Sequence, residues 1–244
     1  MRWLRADLHI HSVLSPCGGL EMAPRALMQR LKECHIDWLA ITDHNSMANC
    51  AAYANVAAGE GLFFTWGVEI QSVEEIHLLA YFDDSAAALA FDEELYNSLL
   101  PIENDADFFG DQVVIDENEN ILRLEHRALI NSSVWDLSTV AERVSAYGGF
   151  VVPAHIDAGV NSIISQLGFM PAEPVFELFG ITAGLQTGQW LAQQPYFADK
   201  SLLRASDAHY LADLGSGYSD VFVDSASVAE LHKAARQIDG RMIM

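Results

Sequence analysis

Basic residues are scarce: 13 Lys and Arg stand against 34 Asp and Glu in 244 residues, a formal net charge of −21. Gripping a polyanion along its length needs clustered Lys and Arg. The composition therefore predicts no long nucleic acid and no anionic membrane as a partner. Cysteine is also sparse, and Cys17, Cys34 and Cys50 lack the short paired spacing of a disulfide framework or a four-cysteine zinc site. No apolar run reaches the ~18 residues of a membrane helix. Arg2, Arg5 and Asp7 interrupt what would be the apolar part of an N-terminal signal. These absences predict a cytoplasmic protein with reduced thiols. No internal repeat or low-complexity tract stands out.

About half of the residues are hydrophobic, 51%, which is enough for one large domain or for a core domain with an insertion. Strands are expected at Trp3 to Ile10, Asp37 to Thr42, Leu62 to Val68 and Ile76 to Phe82, all rich in branched or aromatic residues. A helix starting near Pro24 puts Leu27, Leu31 and Cys34 on one face, and a second runs from Met47 to Ala58 after Asn45 and Ser46 and stops at Gly59 and Gly61. Strands alternating with helices predict an α/β fold with a parallel sheet or barrel.

The alternation breaks after Phe82. From Asp83 to Glu125 thirteen acids face the single base Arg123, with a hairpin pattern over residues 112 to 124. Residues 83–135 read as an inserted small acidic subdomain, with 1–82 and 136–244 forming the main domain. Regularity resumes with a helix capped by Thr139 and Glu142, strands at Phe150 to Ala154, Pro174 to Phe179, Ser201 to Ser206 and Asp220 to Val223, and a last helix capped by Ser227 and Glu230.

The ionisable residues gather at the ends of these strands: His9 and His11, Asp43 and His44, Glu69, His77 at the start of the fourth strand, His155, and Asp207 with His209. Six of the nine histidines are there. That edge hosts the active site of barrels and open α/β sheets. Imidazoles mixed with carboxylates suit zinc, iron or manganese rather than calcium. The donors exceed what one ion needs, so two or three divalent metal ions are expected, with Glu69 able to bridge. Such ions also reverse the local sign of charge, so the acidic total does not exclude a small phosphorylated substrate. His35, His126 and His232 have simpler readings as a helix cap or surface residues. Arg25, Arg123, Arg127, Lys200 and Arg204 are candidates for holding a substrate phosphate, though each also fits an ordinary surface charge.

The motifs DLHIHS, ITDHN, a strand ending in GVE, HLLAYF, PAHID and ASDAH occur in an order that resembles the PHP family, named for polymerase and histidinol phosphatase. The likeness runs through the chain apart from the insertion and is strongest to the small stand-alone metal-dependent phosphoesterases. It implies a distorted (β/α)7 barrel with up to three metals at one face. It further implies a first metal on His9, His11, Glu69 and Asp207, and a second shared by Glu69 with His77 and His155. A third would use His44 and His209 with an acid from the loop after the first strand. Cys17-Gly18 stands where many relatives carry Asp-Gly. Three readings stay open: Cys17 supplies a thiolate, Glu21 reaches in, or the third site is empty. Asp7 and Asp43 read as partners that hold a neighbouring histidine, and Asp157 as either such a partner or a loop cap.

The expected activity is phosphoester hydrolysis of a small phosphorylated metabolite or short nucleotide, with Asp207, His209 and Glu69 as catalytic residues. One alternative is an amidohydrolase-type C–N hydrolase, which is disfavoured because no lysine sits at a strand end. The other is a non-catalytic metal-binding regulatory barrel.

Overall fold

A computed structural model describes residues 1–244. The branched and aromatic runs form strands β1 (Arg2–Ile10), β2 (Trp38–Ile41), β3 (Phe63–Gln71), β4 (His77–Phe82), β5 (Val113–Ile115), β6 (Ile121–Leu124), β7 (Phe150–Pro153), β8 (Leu178–Ile181), β9 (Ser201–Arg204), β10 (Ser219–Val223) and β11 (Met242–Ile243). Seven of them make one curled sheet in the order β11-β10-β1-β2-β3-β4-β7, while β8 and β9 form a separate parallel pair. That pair bridges the sheet's two flanks. The Ile156 amide donates to Gly180 on one side, and the Asp207 and His11 amides exchange bonds with His9 and Ala208 on the other, at 2.9–3.0 Å. The result is the expected α/β fold, a distorted and incompletely closed barrel.

The strands are not all parallel. β1, β2 and β3 run parallel, but β4 is antiparallel to both β3 and β7, and β10 is antiparallel to β1. A parallel partner would need a crossover of about a dozen residues. Only the turn from Ser72 to Ile76 joins β3 to β4, and it closes on its own Ser72-to-Ile76 hydrogen bond of 2.9 Å. This reversal brings the first residue of β4, His77, to the edge where the parallel strands end.

Helices Pro24–Glu33, Cys50–Glu60, Ser85–Ser98 and Leu137–Ala146 cover one face of the sheet. Their apolar stripes, among them Leu27, Leu31, Tyr53, Phe91 and Val140, meet Ile41, Val68 and Phe82 in a core of 36 buried residues. The other face carries Leu4, Ala6, Leu8, Trp38, Ala40, Leu79, Tyr81 and Val152, closed at one end by Val228 and Leu231 of the helix Val228–Ala235. No helix is long and apolar enough to cross a membrane.

Several expected boundaries shift for local reasons. The helix expected to be capped by Thr139 and Glu142 starts earlier, because Asp136 accepts the Thr139 amide at 2.8 Å. Met47 lies in a turn held by Asp92, so the second helix begins at Cys50; it ends at Gly61 in the left-handed region. Pro174 cannot donate to a strand ladder, and β8 begins only at Leu178.

Within 83–135, the helix Ser85–Ser98 places Ala88, Phe91 and Leu95 in the main core. The hairpin β5–β6 packs Val114 with Leu99 and Leu129 against Leu14, and the Val113 amide donates to Val13 at 3.0 Å. The acidic segment therefore rests on the loop that follows β1.

Candidate metal centre

Strict alternation along β1 would send His9 and His11 to the face opposite Ala6 and Leu8. A register shift between Asp7 and Ile10 adds a residue to β1 relative to β2. The bulge re-aims the strand's last side chains: Ile10 joins the helix-covered core, and His9 and His11 turn to the open end above Leu8. His44 enters from the loop after β2, where its bridge to Glu69 continues the parallel ladder. His155 and Asp207 follow β7 and β9 with φ of 27° and 53°. Such left-handed non-glycine residues cost about 1–3 kcal/mol each and aim both side chains inward.

Glu69 is the hub. Its Oε1 lies 3.3 Å from His9 Nε2, 2.9 Å from His77 Nδ1 and 3.2 Å from His155 Nε2. Its Oε2 lies 3.4 Å from His11 Nε2 and 3.1 Å from His44 Nδ1. Asp207 Oδ1 is 3.2 Å from both His9 and His11 Nε2. Glu69 is 1% exposed. Burial pushes its acidity the other way, yet the His77 and His9 imidazoles hold its carboxyl well below the usual range. His11 is driven well below its ordinary pKa by burial and by the His209 and His44 charges. Cys17, despite burial, is lowered to about 6 by hydrogen bonds with His209 and His44. His209, again against burial, is raised to about 9 by Cys17 and Asp207.

The donors fit metal ions. Three of the atoms that face the cluster, His44 Nδ1, His77 Nδ1 and Asp207 Oδ1, are buried with no hydrogen-bond partner. The Nδ1 atoms of His44 and His77 lie near Glu69 but out of line for a hydrogen bond. With bonds of about 2.0–2.1 Å, two ligands on one tetrahedral ion stand about 3.3 Å apart, which is the spacing seen around Glu69. Three groups bring their donor atoms within 4.8 Å of one another: His9, His11 and Glu69; His44, Glu69 and His77; and His11, His44 and His209.

Surrounding side chains set the tautomers. His11 Nδ1 donates to Ser15 Oγ at 2.8 Å, and Ser15 donates to Asp43 Oδ1 at 2.7 Å, leaving His11 Nε2 free as a donor to an ion. His77 Nε2 donates to Gln71 Oε1 at 3.2 Å, freeing Nδ1. His209 Nδ1 donates to the Asp207 carbonyl at 2.8 Å.

Neither Asp7 nor Asp43, expected to hold neighbouring histidines, hydrogen-bonds an imidazole. Asp43 bonds the Ser12 amide, Ser12 Oγ and Ser15 Oγ, and reaches His11 only through Ser15. Asp7 accepts the Ser206 amide at 3.0 Å, so it braces the turn that carries Asp207. Asp157 accepts from the amide and hydroxyl of Thr182 and is a loop cap.

The five proposed phosphate-binding bases are engaged elsewhere. Arg204 is spent on the Thr182, Ala183 and Leu185 carbonyls and Thr187. Arg127 bonds the Tyr96 carbonyl and stacks on its ring, Arg123 pairs with Glu125, and Lys200 pairs with Asp199. Arg25 lines a separate surface groove with Lys32 and Glu60. The cavity at the cluster, about 260 Å³, is lined by His44, Glu69, His77, His155, Asp207 and His209, together with Ala158, Val160, Asn161 and Thr182. It contains no Lys or Arg.

Sequence reasoning missed Ser15, Gln71, Asn161 and Thr182. Gln71 had a signal, since it lies two residues past Glu69 and so shares its face. Asn161 and Thr182 arrive from loops whose paths only the tertiary structure defines.

Solved structures share this fold. A lesion-specific endonuclease from Pyrococcus furiosus matches with a TM-score of 0.73 and 15% identity, over 100% of this chain and 58% of its own. Endonuclease Q in complex with a 27-mer duplex bearing an abasic lesion at its active site matches with 0.73 and 16%, over 100% of this chain and 59% of its own. This chain thus spans less than two thirds of those proteins. A protein of Bifidobacterium adolescentis assigned as a metal-dependent phosphoesterase matches with 0.56 and 20%, over 84% of this chain and 87% of its own.

These comparisons overturn the expectation that long nucleic acid is excluded as a partner, because the same fold, over this chain's whole length, occurs in a protein seated on duplex DNA. Net charge sums the whole surface, whereas bound cations set the local sign at a site. No curated protein matches the sequence. The PHP domain family matches residues 7–146, as the ordered motifs suggested. With the histidine and carboxylate cluster at its open end, the chain belongs to the PHP domain family.

Proposed function

We propose that this chain hydrolyses a phosphodiester bond of nucleic acid at the Glu69-centred cavity. The single observation that carries the reading is that cluster of buried, unpartnered donors on a fold that endonuclease Q shares over this chain's full length. His9, His11, Glu69 and Asp207 would hold one divalent ion, and Glu69, His77 and His155 a second. Such ions supply positive charge for the phosphate oxygens and lower the pKa of water.

The chain's own residues do the rest. With no Lys or Arg in the cavity, the neutral side-chain amide of Asn161 is the group left to meet the phosphate beside the metal-binding cluster. Asp207, 34% exposed at its side chain, is the carboxylate open to solvent and takes the proton from the attacking water. The leaving oxygen takes its proton from solvent, which reaches the site beside the partly exposed His209. Ala158 and Val160 form an apolar wall that limits water at the reacting bond. The acidic exterior favours a strand entering locally, by an end or a displaced nucleotide, over one lying along the surface. We further propose that the insertion begins after Ser98, since the helix before it belongs to the main core.

The test is a panel of duplexes with and without an abasic site, single strands and small phosphomonoesters, each offered to protein loaded with zinc, manganese or iron. Metal-dependent strand cleavage that Glu69→Gln abolishes is expected. Turnover confined to small monoesters would overturn the nucleic-acid reading, and no turnover of any phosphoester would overturn the reaction class.

A further inference from the structure

The loop after β1 is held more tightly than an ordinary connection. The Gly18 amide donates to the Ser15 carbonyl and the Gly19 amide to the His209 carbonyl, both at 2.8 Å. A Cβ at Gly18 would stand 2.7 Å from the Ser12 carbonyl oxygen, so only glycine allows this approach. Gly110, at φ 98°, seats the acidic segment directly on the Pro16 carbonyl. Between these anchors Cys17 places Sγ 3.4 Å from His44 Nε2.

The imidazoles around this sulfur turn their other edges away from it. His209 Nδ1 donates to the Asp207 carbonyl, and His44 Nδ1 faces Glu69 Oε2 at 3.1 Å. His44 is 6% exposed, and its Nδ1 has no hydrogen-bond partner. His11, His44 and His209 already bring donor atoms within 4.8 Å of one another. Glu21, the other acid of this loop, is exposed, and its carboxylate folds back toward Gly19. The other thiols are differently placed: Cys34 Sγ donates to the Leu214 carbonyl, and Cys50 is buried against Ile41 and Gly67.

We propose that Cys17, His44 and His209 hold a further ion through one thiolate and two imidazoles, and that this site selects zinc-class thiophilic ions over manganese. The inference rests on the metal-dependent reading of the cavity and deepens it. On binding, the Cys17 S–H proton leaves to solvent and a sulfur–metal bond of about 2.3 Å forms. Thiolate is a soft ligand and disfavours the hard ions that carboxylate and water suit. Three protein donors leave a fourth position open, the pattern of catalytic rather than structural zinc sites.

Cobalt(II) is the probe. Titrating metal-free protein with cobalt is expected to give a thiolate-to-cobalt charge-transfer band in the near ultraviolet and about one more bound ion than the Cys17→Ser variant. Cys17→Ser loses the band, Cys17→Asp regains the ion without the band, and Cys34→Ser changes neither. Manganese fails to displace the cobalt that gives the band. As a check independent of variant folding, bound cobalt protects Cys17 of the wild-type chain from iodoacetamide, read by peptide mass, and leaves Cys34 reactive. Cobalt-loaded wild type without the band, Cys17→Ser with the full ion count, or unprotected Cys17 would each overturn the proposal. A band without phosphoester turnover would instead overturn only the proposed function.

Discussion

The two ends of the barrel treat buried charge in opposite ways. Where β1 begins, Arg241 donates to Glu230 Oε2 and Asp224 Oδ2, both at 2.6 Å. Lys233 adds a bond to Glu230, and the N-terminal ammonium pairs with Asp224. The two buried charges there, Glu230 and Arg241, are each in contact with an opposite charge. Where β1 ends, Glu69 faces five imidazoles, and buried ring nitrogens lack partners. A buried polar group without a partner is costly, so the second end is built for ions, and the first is built to hold the chain together.

Substitutions should separate these roles. Glu69→Gln is the largest expected effect: turnover falls by about 10²–10³-fold or more, and metal content measured after dialysis drops. Far-ultraviolet circular dichroism stays that of the wild type. Loss of the fold in place of metal would break the contrast between the two ends.

Arg241→Ala should do the reverse, costing about 1–3 kcal/mol of unfolding free energy in urea by leaving Glu230 without its main partner. Its metal content should be unchanged. Ser15→Ala tests the link between the ends of the Asp43–Ser15–His11 chain: metal affinity should weaken about 10–100-fold, read by competition with a chromophoric chelator, alongside a loss of about 1–3 kcal/mol in stability from the orphaned buried groups.

The smallest effect is in pH. Arg241 holds the Glu230 carboxyl down to about 2, from an ordinary 4.5. A depressed carboxylate stabilises the fold fully above its unfolded pKa, and that contribution is lost as pH falls from about 4.5 toward 2. Unfolding midpoints across that window should fall less steeply for Arg241→Gln than for the wild type. Equal slopes would show that Glu230 gains nothing from this pair.

Much of the site was legible because its chemistry is local. His9, His11, His44, Glu69, His155 and Asp207 each sit at a strand end that branched and aromatic residues mark, and the cavity brings four of these six together with His77 and His209. What could not be read were pairings between distant segments. The five bases were candidates only by position along the chain; Arg204 instead meets the carbonyls of the loop after β8, and Arg127 meets Tyr96, from a helix about thirty residues earlier. Ser15 looked like an ordinary loop residue until Asp43 and His11 closed on it.

By itself the sequence determined the element types, the donor inventory and its preference for metal ions, because periodicity, capping and ligand chemistry act over a few residues. Only the tertiary structure decided which face those donors share. The bulge between Asp7 and Ile10 turns His9 and His11 inward, and the short Ser72 to Ile76 turn reverses β4 so that His77 meets Glu69. The same closure of the chain put Cys17 beside His44 and spent the basic residues elsewhere. Each of these depends on registers and packing between segments far apart in sequence, where no local pattern carries the information.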